Sequence, residues 1–187
     1  MAMTIAEQMR ASHVTRWHIV QTARKQSLAE HLFNVCILSV DLAGRIEWSG
    51  IYHHSEKLAL MDWALRHDLI EVRTGDIPTP FKKMLKLLYG GDVMHKAEAS
   101  IDNDQSGLAR LVSGTEIEAI VKMADMIDAI QFVTDNGIGL HSKNVLDGLR
   151  NDFDMMVTDY IEQYPHLQIR NGCRSLCRDL GIWGGAL

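Results

Sequence analysis

A chain of 187 residues, 47% of them hydrophobic, carries enough apolar material for one domain with a sizeable core. Its 24 acidic and 19 basic side chains leave a net charge of -5. That balance argues against a binder of nucleic-acid polymers, which needs a basic face, and allows only a local basic pocket. The segment Met1-Ala2-Met3-Thr4-Ile5-Ala6-Glu7 lacks an apolar signal core. No apolar run approaches membrane-spanning length, so a cytoplasmic protein without a membrane partner is expected.

Helix-start signals recur along the chain and strand alternation is nearly absent, which predicts an all-α fold. The first helix is expected over 4–12, opened by a capping box from Thr4 to Glu7. A second box, Ser27-Leu28-Ala29-Glu30, opens a helix over 28–46; its serine should cap the amide three residues on while the glutamate reaches back. His31 falls in the first turn of that helix, which continues through Leu32, Val35, Ile37, Leu38 and Leu42. The next helix, 56–70, runs into the punctuation of Thr74-Gly75-Asp76-Ile77-Pro78-Thr79-Pro80. Further helices are expected over 81–89, 93–103, 116–135 (with a box from Thr115 to Glu118), 142–163 and 172–180. Gly90-Gly91, Gly114 and Gly137-Ile138-Gly139 separate them; the last lacks the lysine and the strand of a phosphate loop. No repeat or dividing linker interrupts the chain, so 1–187 reads as a single domain. Cys36, Cys173 and Cys177 are odd in number and lack Cys-x-x-Cys spacing, and read as reduced thiols.

Within these helices His31, the adjacent pair His67-Asp68, and Asp125 form a candidate metal site. Imidazole and carboxylate suit zinc, cobalt, manganese or iron, and four such ligands leave coordination positions open for water or phosphate. Adjacent helical residues point about 100° apart. His67 and Asp68 therefore reach one ion only from a helix end or a distorted turn. Asp125 lies among Ile120, Val121, Met123, Ala124, Met126 and Ile127, where a carboxylate is costly unless paired or coordinating.

Around this site the chain offers the parts of a phosphate-cleaving centre. Glu71, one turn beyond His67, is placed to orient water or take its proton; its bland role is an ion pair with Arg73. Asp76 beside Gly75 is either a turn cap or a second acidic group of the site. Arg16 supplies a planar fork for oxygens, whereas Lys82 and Lys122 supply compact charges. Lys122, three residues before Asp125, should share its helix face. Trp17 presents a broad face for a base and Ile19 a shape filter, although both residue types more often fill a core.

The segments Arg16-Trp17-His18-Ile19, Ala29-Glu30-His31, His67-Asp68-Leu69-Ile70-Glu71, Thr74 to Pro80 and Lys122-Met123-Ala124-Asp125 together resemble the HD-domain phosphohydrolases. More narrowly, they resemble the branch of bacterial 5'-deoxynucleotidases and phage deoxynucleoside triphosphohydrolases. The resemblance implies an HD-type helical bundle with a central ion held by His31, His67, Asp68 and Asp125. It also implies an active-site Asp76, a base framed by Trp17 and Ile19 with Pro80 on the substrate side, a second ion such as magnesium on the phosphates, and a homo-oligomer. The implied reaction is water attack on the α-phosphorus of dATP, giving deoxyadenosine and triphosphate. The alternative is a 5'-deoxynucleotidase releasing orthophosphate from deoxynucleoside monophosphates. A non-catalytic nucleotide-binding module is the third reading, against which the intact ligand set and Glu71 count. His53, His54, His141 and His166 are given no role, and Trp183 is expected to anchor the C-terminal segment.

Overall fold

In a computed structural model that describes residues 2–90, 93–101 and 103–182, the chain is all-α, as expected. Its helices are α1 (Ile5–Gln8), α2 (Leu28–Arg45), α3 (His54–Arg66), α4 (Glu71–Thr74), α5 (Thr79–Tyr89), α6 (Val93–Ile101), α7 (Asn103–Val112), α8 (Glu116–Asn136), α9 (Gly139–Gln163) and α10 (Ile169–Asp179). A short antiparallel ribbon, not expected from the sequence, pairs β1 (Thr15–Arg16) with β2 (Gln26–Ser27).

The centre is the seam between α2 and α8. Helical periodicity aligns Leu28, Leu32, Val35 and Leu42 on α2, and Ile120, Met123, Ile127 and Ile130 on α8, and all are buried. α3 and α10 close on α2 and α9 closes on α8, adding Leu60, Cys173 and Phe153 to the same core. Each large apolar side chain so buried contributes about 1.5–3 kcal/mol. The seam is thus the most firmly held part of the fold, and it carries His31 on one side and Asp125 on the other.

Several local expectations change. Ser27 does cap α2, accepting from the Glu30 amide at 3.2 Å, but Glu30 does not reach back. Its carboxylate instead accepts two bonds from Arg24, at 2.9 and 2.7 Å, a charge-assisted pairing that outcompetes a neutral amide. The helix expected over 56–70 stops at Arg66. From Leu69 to Arg73 each amide except that of Ile70 donates three residues back, so the backbone tightens into turns before α4. α7 was not expected, because Asn103-Asp104-Gln105-Ser106-Gly107 is poor in helix formers. α1 gives way at Met9 to a 3-10 turn, and α9 and α10 each begin three residues early. The three cysteines are buried free thiols, and no helix among the described residues is long and apolar enough to cross a membrane. Trp183 lies outside the described residues.

Candidate active site

The break after α3 brings both members of the His67-Asp68 pair to one place. His67 caps α3, and its Nδ1–H donates to the Ala64 carbonyl at 2.9 Å, which turns Nε2 toward Asp68 Oδ2 at 3.6 Å. From α2, His31 Nε2 stands 3.7 Å from Asp68 Oδ2 and 3.4 Å from Asp125 Oδ1 on α8. One donor atom from each of His31, His67, Asp68 and Asp125 lies within 4.8 Å of the others.

These residues fit a divalent ion on structural grounds. His31 is fully buried, and its Nε2 makes no hydrogen bond, an expensive arrangement unless something positive sits beside it. Burial and Arg16 both oppose a proton on this ring. The hydrogen bond to Asp128 and the nearby carboxylates of Asp68 and Asp125 outweigh them, pushing its pKa up to about 9. Burial likewise opposes ionisation of Asp68, yet His67, His31 and Arg16 hold it well below the usual carboxylate range. The cluster draws positive charge strongly.

The sequence reading missed Asp128, the partner that orients His31. His31 Nδ1–H donates to Asp128 Oδ2 at 2.7 Å, and Asp128 also accepts from Gln26 Nε2 and Asn34 Nδ2, each at 2.8 Å. Gln26 is fully buried, and its Oε1 accepts from the Trp17 indole at 2.8 Å. The ordered series Trp17, Gln26, Asp128, His31 thereby joins the loop after β1 to the cluster. A signal existed, because Asp128 follows Asp125 by three residues on an apolar helix. Gln26 carried none.

Beside the cluster is a cavity of about 380 Å³. Arg16, Asp76 and Asp125 line it, together with Trp17, Ile19 and Pro80, so six of the expected residues meet around one space. Arg16 has a buried Nη1 without a hydrogen bond, and its Nη2 is 3.8 Å from Asp125 Oδ1. Trp17 adopts φ 65°, a left-handed backbone rare outside glycine, and its ring stacks on Phe132 at 5.8 Å. Ile19 is 52% exposed and is a cavity wall rather than core. Asp76 follows Gly75 (φ 72°) and faces His18 Nδ1 at 3.6 Å.

Glu71 and Lys82 flank a smaller recess of about 50 Å³ that Asp68 also lines. Lys82 Nζ is 3.4 Å from Glu71 Oε1, whereas Arg73 pairs with Glu7, so the bland alternative of a Glu71–Arg73 pair is not what the structure shows. Glu71 Oε2 is buried without a hydrogen bond. Burial first, then Asp68 and Asp76, push the Glu71 pKa up to about 8 against Lys82 and Arg16.

Lys122 is not brought to the site. It is exposed and pairs with Glu118, one turn back, at 2.8 Å. Lys83 lines the cavity instead, 3.3 Å from Asp152 on α9. His141, given no role from sequence, also lines the cavity, whereas His166 pairs with Glu116 away from it.

Comparison with known proteins agrees with this geometry. A dATP triphosphohydrolase of Cyanophage S-2L is 38% identical over 140 residues, 74% of this chain and 74% of that protein. Another, of Salmonella phage PMBT28, is 33% identical over 165 residues, 86% of this chain and 81% of that one. A 5'-deoxynucleotidase of Pasteurella multocida is 29% identical over 139 residues, 66% and 70% of the two chains. The solved structure of the Cyanophage S-2L HD phosphohydrolase bound to dA and one catalytic Zn2+ ion superposes with a TM-score of 0.78 at 29% identity, covering 97% of this chain and 99% of that one. The model of the 5'-deoxynucleotidase YfbR-like family matches residues 3–134, and the chain therefore belongs to that family of HD phosphohydrolases.

Proposed function

We propose that residues 1–187 act as one metal-dependent phosphohydrolase that cleaves dATP to deoxyadenosine and triphosphate. The observation that carries the reading is the double membership of Asp125, which belongs both to the four-donor cluster and to the cavity wall, so a ligand filling the cavity touches the cluster. The phage relatives and the dA-bound neighbour support a deoxyadenosine nucleotide as that ligand. A divalent ion held by His31, His67, Asp68 and Asp125, with zinc, cobalt or manganese the chemically suited choices, supplies a Lewis acid for a phosphate oxygen and lowers the pKa of bound water.

The remaining roles fall to this chain's own groups. Arg16 directs an unused, buried N–H to a phosphate oxygen. Glu71, with its pKa raised to about 8, takes the proton of the attacking water in its ionised form, and Asp76 holds His18 at the cavity wall. Trp17, Ile19 and Pro80 enclose the nucleoside. Lys82 serves Glu71. The inferred setting is a host-cell cytoplasm, and the inferred assembly a homo-oligomer, for which Phe33 and Ile37, exposed one turn apart on α2, offer an apolar face.

A second reading, hydrolysis of deoxynucleoside monophosphates, is favoured by one observation. Lys82, Lys83 and Lys122 each already face a carboxylate, which reduces the charge ready for a triphosphate tail. Product analysis separates the two after incubation of the wild type and His67→Ala with dATP, dAMP and manganese, cobalt or zinc. Triphosphate and deoxyadenosine are expected, and only from the wild type; orthophosphate from dAMP alone would replace the first reading with the second.

A further inference from the structure

α9 begins beyond the residues that the family model matches, yet it forms a wall of the cavity. His141, Val145, Gly148, Leu149 and Asp152 recur at helical spacing and present one stripe of α9 to that space. Gly148 stands out on the stripe. It lies in the middle of a 25-residue helix, where glycine costs stability relative to alanine, and a Cβ built on it would meet no atom within 4 Å. No packing neighbour explains the missing side chain. Gly148 is exposed and lines the cavity, so a Cβ there would stand in the open space at the cavity's α9 side.

The chemistry around Gly148 identifies what uses the space. Val145 and Leu149 flank it with apolar surface, and Met126 and Ala129 on α8 continue that surface from Asp125 toward α9. Arg16 and Asp125 mark the end of the cavity beside the cluster, while Asp152 on the α9 stripe is neutralised by Lys83, so a nucleotide with its phosphate at the cluster extends its flat, apolar part along this lane. We propose that Gly148 is a specificity-determining residue: its bare backbone lets the nucleobase lie against α9, and a side chain at this position excludes the base.

The inference rests on the nucleotide reading above and makes stability and binding move in opposite directions. Gly148→Ala should raise Tm by roughly 2–4 °C, as replacing a mid-helix glycine does in a chain of this size. It should also raise KM for the hydrolysed nucleotide by about tenfold, and Gly148→Leu should raise it more than about a hundredfold. In both variants kcat and the Tm shift produced by the metal alone should stay at wild-type values, because Gly148 is not in the cluster. Unchanged KM in both variants, with Tm still raised in the alanine variant, would overturn the inference and leave the nucleotide reading intact. A wild type that hydrolyses no nucleotide would overturn that reading; the same three proteins titrated with deoxyadenosine then decide the inference, weakened affinity supporting it and equal affinity overturning it.

Discussion

Asp128 and Glu71 do opposite things with burial. Asp128 accepts three hydrogen bonds, from His31, Asn34 and Gln26, and these overcome the cost of burial to hold it ionised. Asp128→Asn should weaken zinc binding by about 10–100-fold while the chain still folds, read by metal titration and by the loss of the zinc-induced Tm shift. Glu71 lacks such donors apart from Lys82 and keeps its proton up to about 8 rather than 4.5. Below about 4.5 folded and unfolded chains bind that proton alike. As pH rises from there to about 8 only the folded chain retains it, so stability falls over this window. In chelator-treated protein, thermal melts from pH 5 to 8 should show that decline, joined above about 6.5 by that of His31, and Glu71→Gln should flatten it between about 5 and 6.5 and cost about 10²–10⁴-fold in rate. Legibility at this scale followed residue spacing. His31, His67, Asp68 and Asp125 are readable as a group, whereas the three-residue spacing that puts Lys122 on the Asp125 face as a phosphate ligand loses to the pair that Lys122 makes with Glu118, four residues before it. Gln26 was not readable, because nothing in a sequence tells a buried glutamine from an exposed one.

Among the elements, the stop at Arg66 matters most, because a continuous helix would point His67 and Asp68 apart. Gly and Pro at 75–80 announced an ending, but the break falls earlier, where amides bond three residues back through an apolar stretch without punctuation. The loop after β1 is held at both ends. Arg16 pairs with Gln26 in the ribbon, while Gln21 accepts from the Ile138 amide and the Ser142 hydroxyl, and Thr22 bridges Gly137. Strand pairing two residues long leaves no alternation to read, so this anchorage was invisible in sequence. Gly137 cannot carry a side chain, since a Cβ there would lie 2.6 Å from the Val133 carbonyl oxygen. Gly137→Ala should cost about 1–3 kcal/mol, seen as a lower Tm, and by shifting the loop should raise KM more than it lowers kcat.

For the whole molecule, the cluster spans the seam that organises the fold, with His31 on α2, His67 and Asp68 after α3, and Asp125 on α8. An ion bound there ties three elements together, so its removal is a stability event. Zinc at about 100 times its dissociation constant should stabilise the chain by about 2.7 kcal/mol over chelator-treated protein, checked by paired thermal melts. The overall bundle was legible because capping and apolar periodicity are local signals; the α9 wall of the cavity was not, because it depends on how distant helices meet. The Trp17 to His31 series also has a direction. An indole can only donate, so the Gln26 amide must turn its oxygen to Trp17 and its nitrogen to Asp128. Asp128 is left to accept, so His31 keeps a proton on Nδ1, and Nε2, whose own proton a bound ion would displace, is the atom that faces the cluster. The nitrogen that an imidazole at the centre offers to an ion is thereby dictated from the cavity wall at Trp17, and a change made at residue 17 is felt as a change in the hold on the ion.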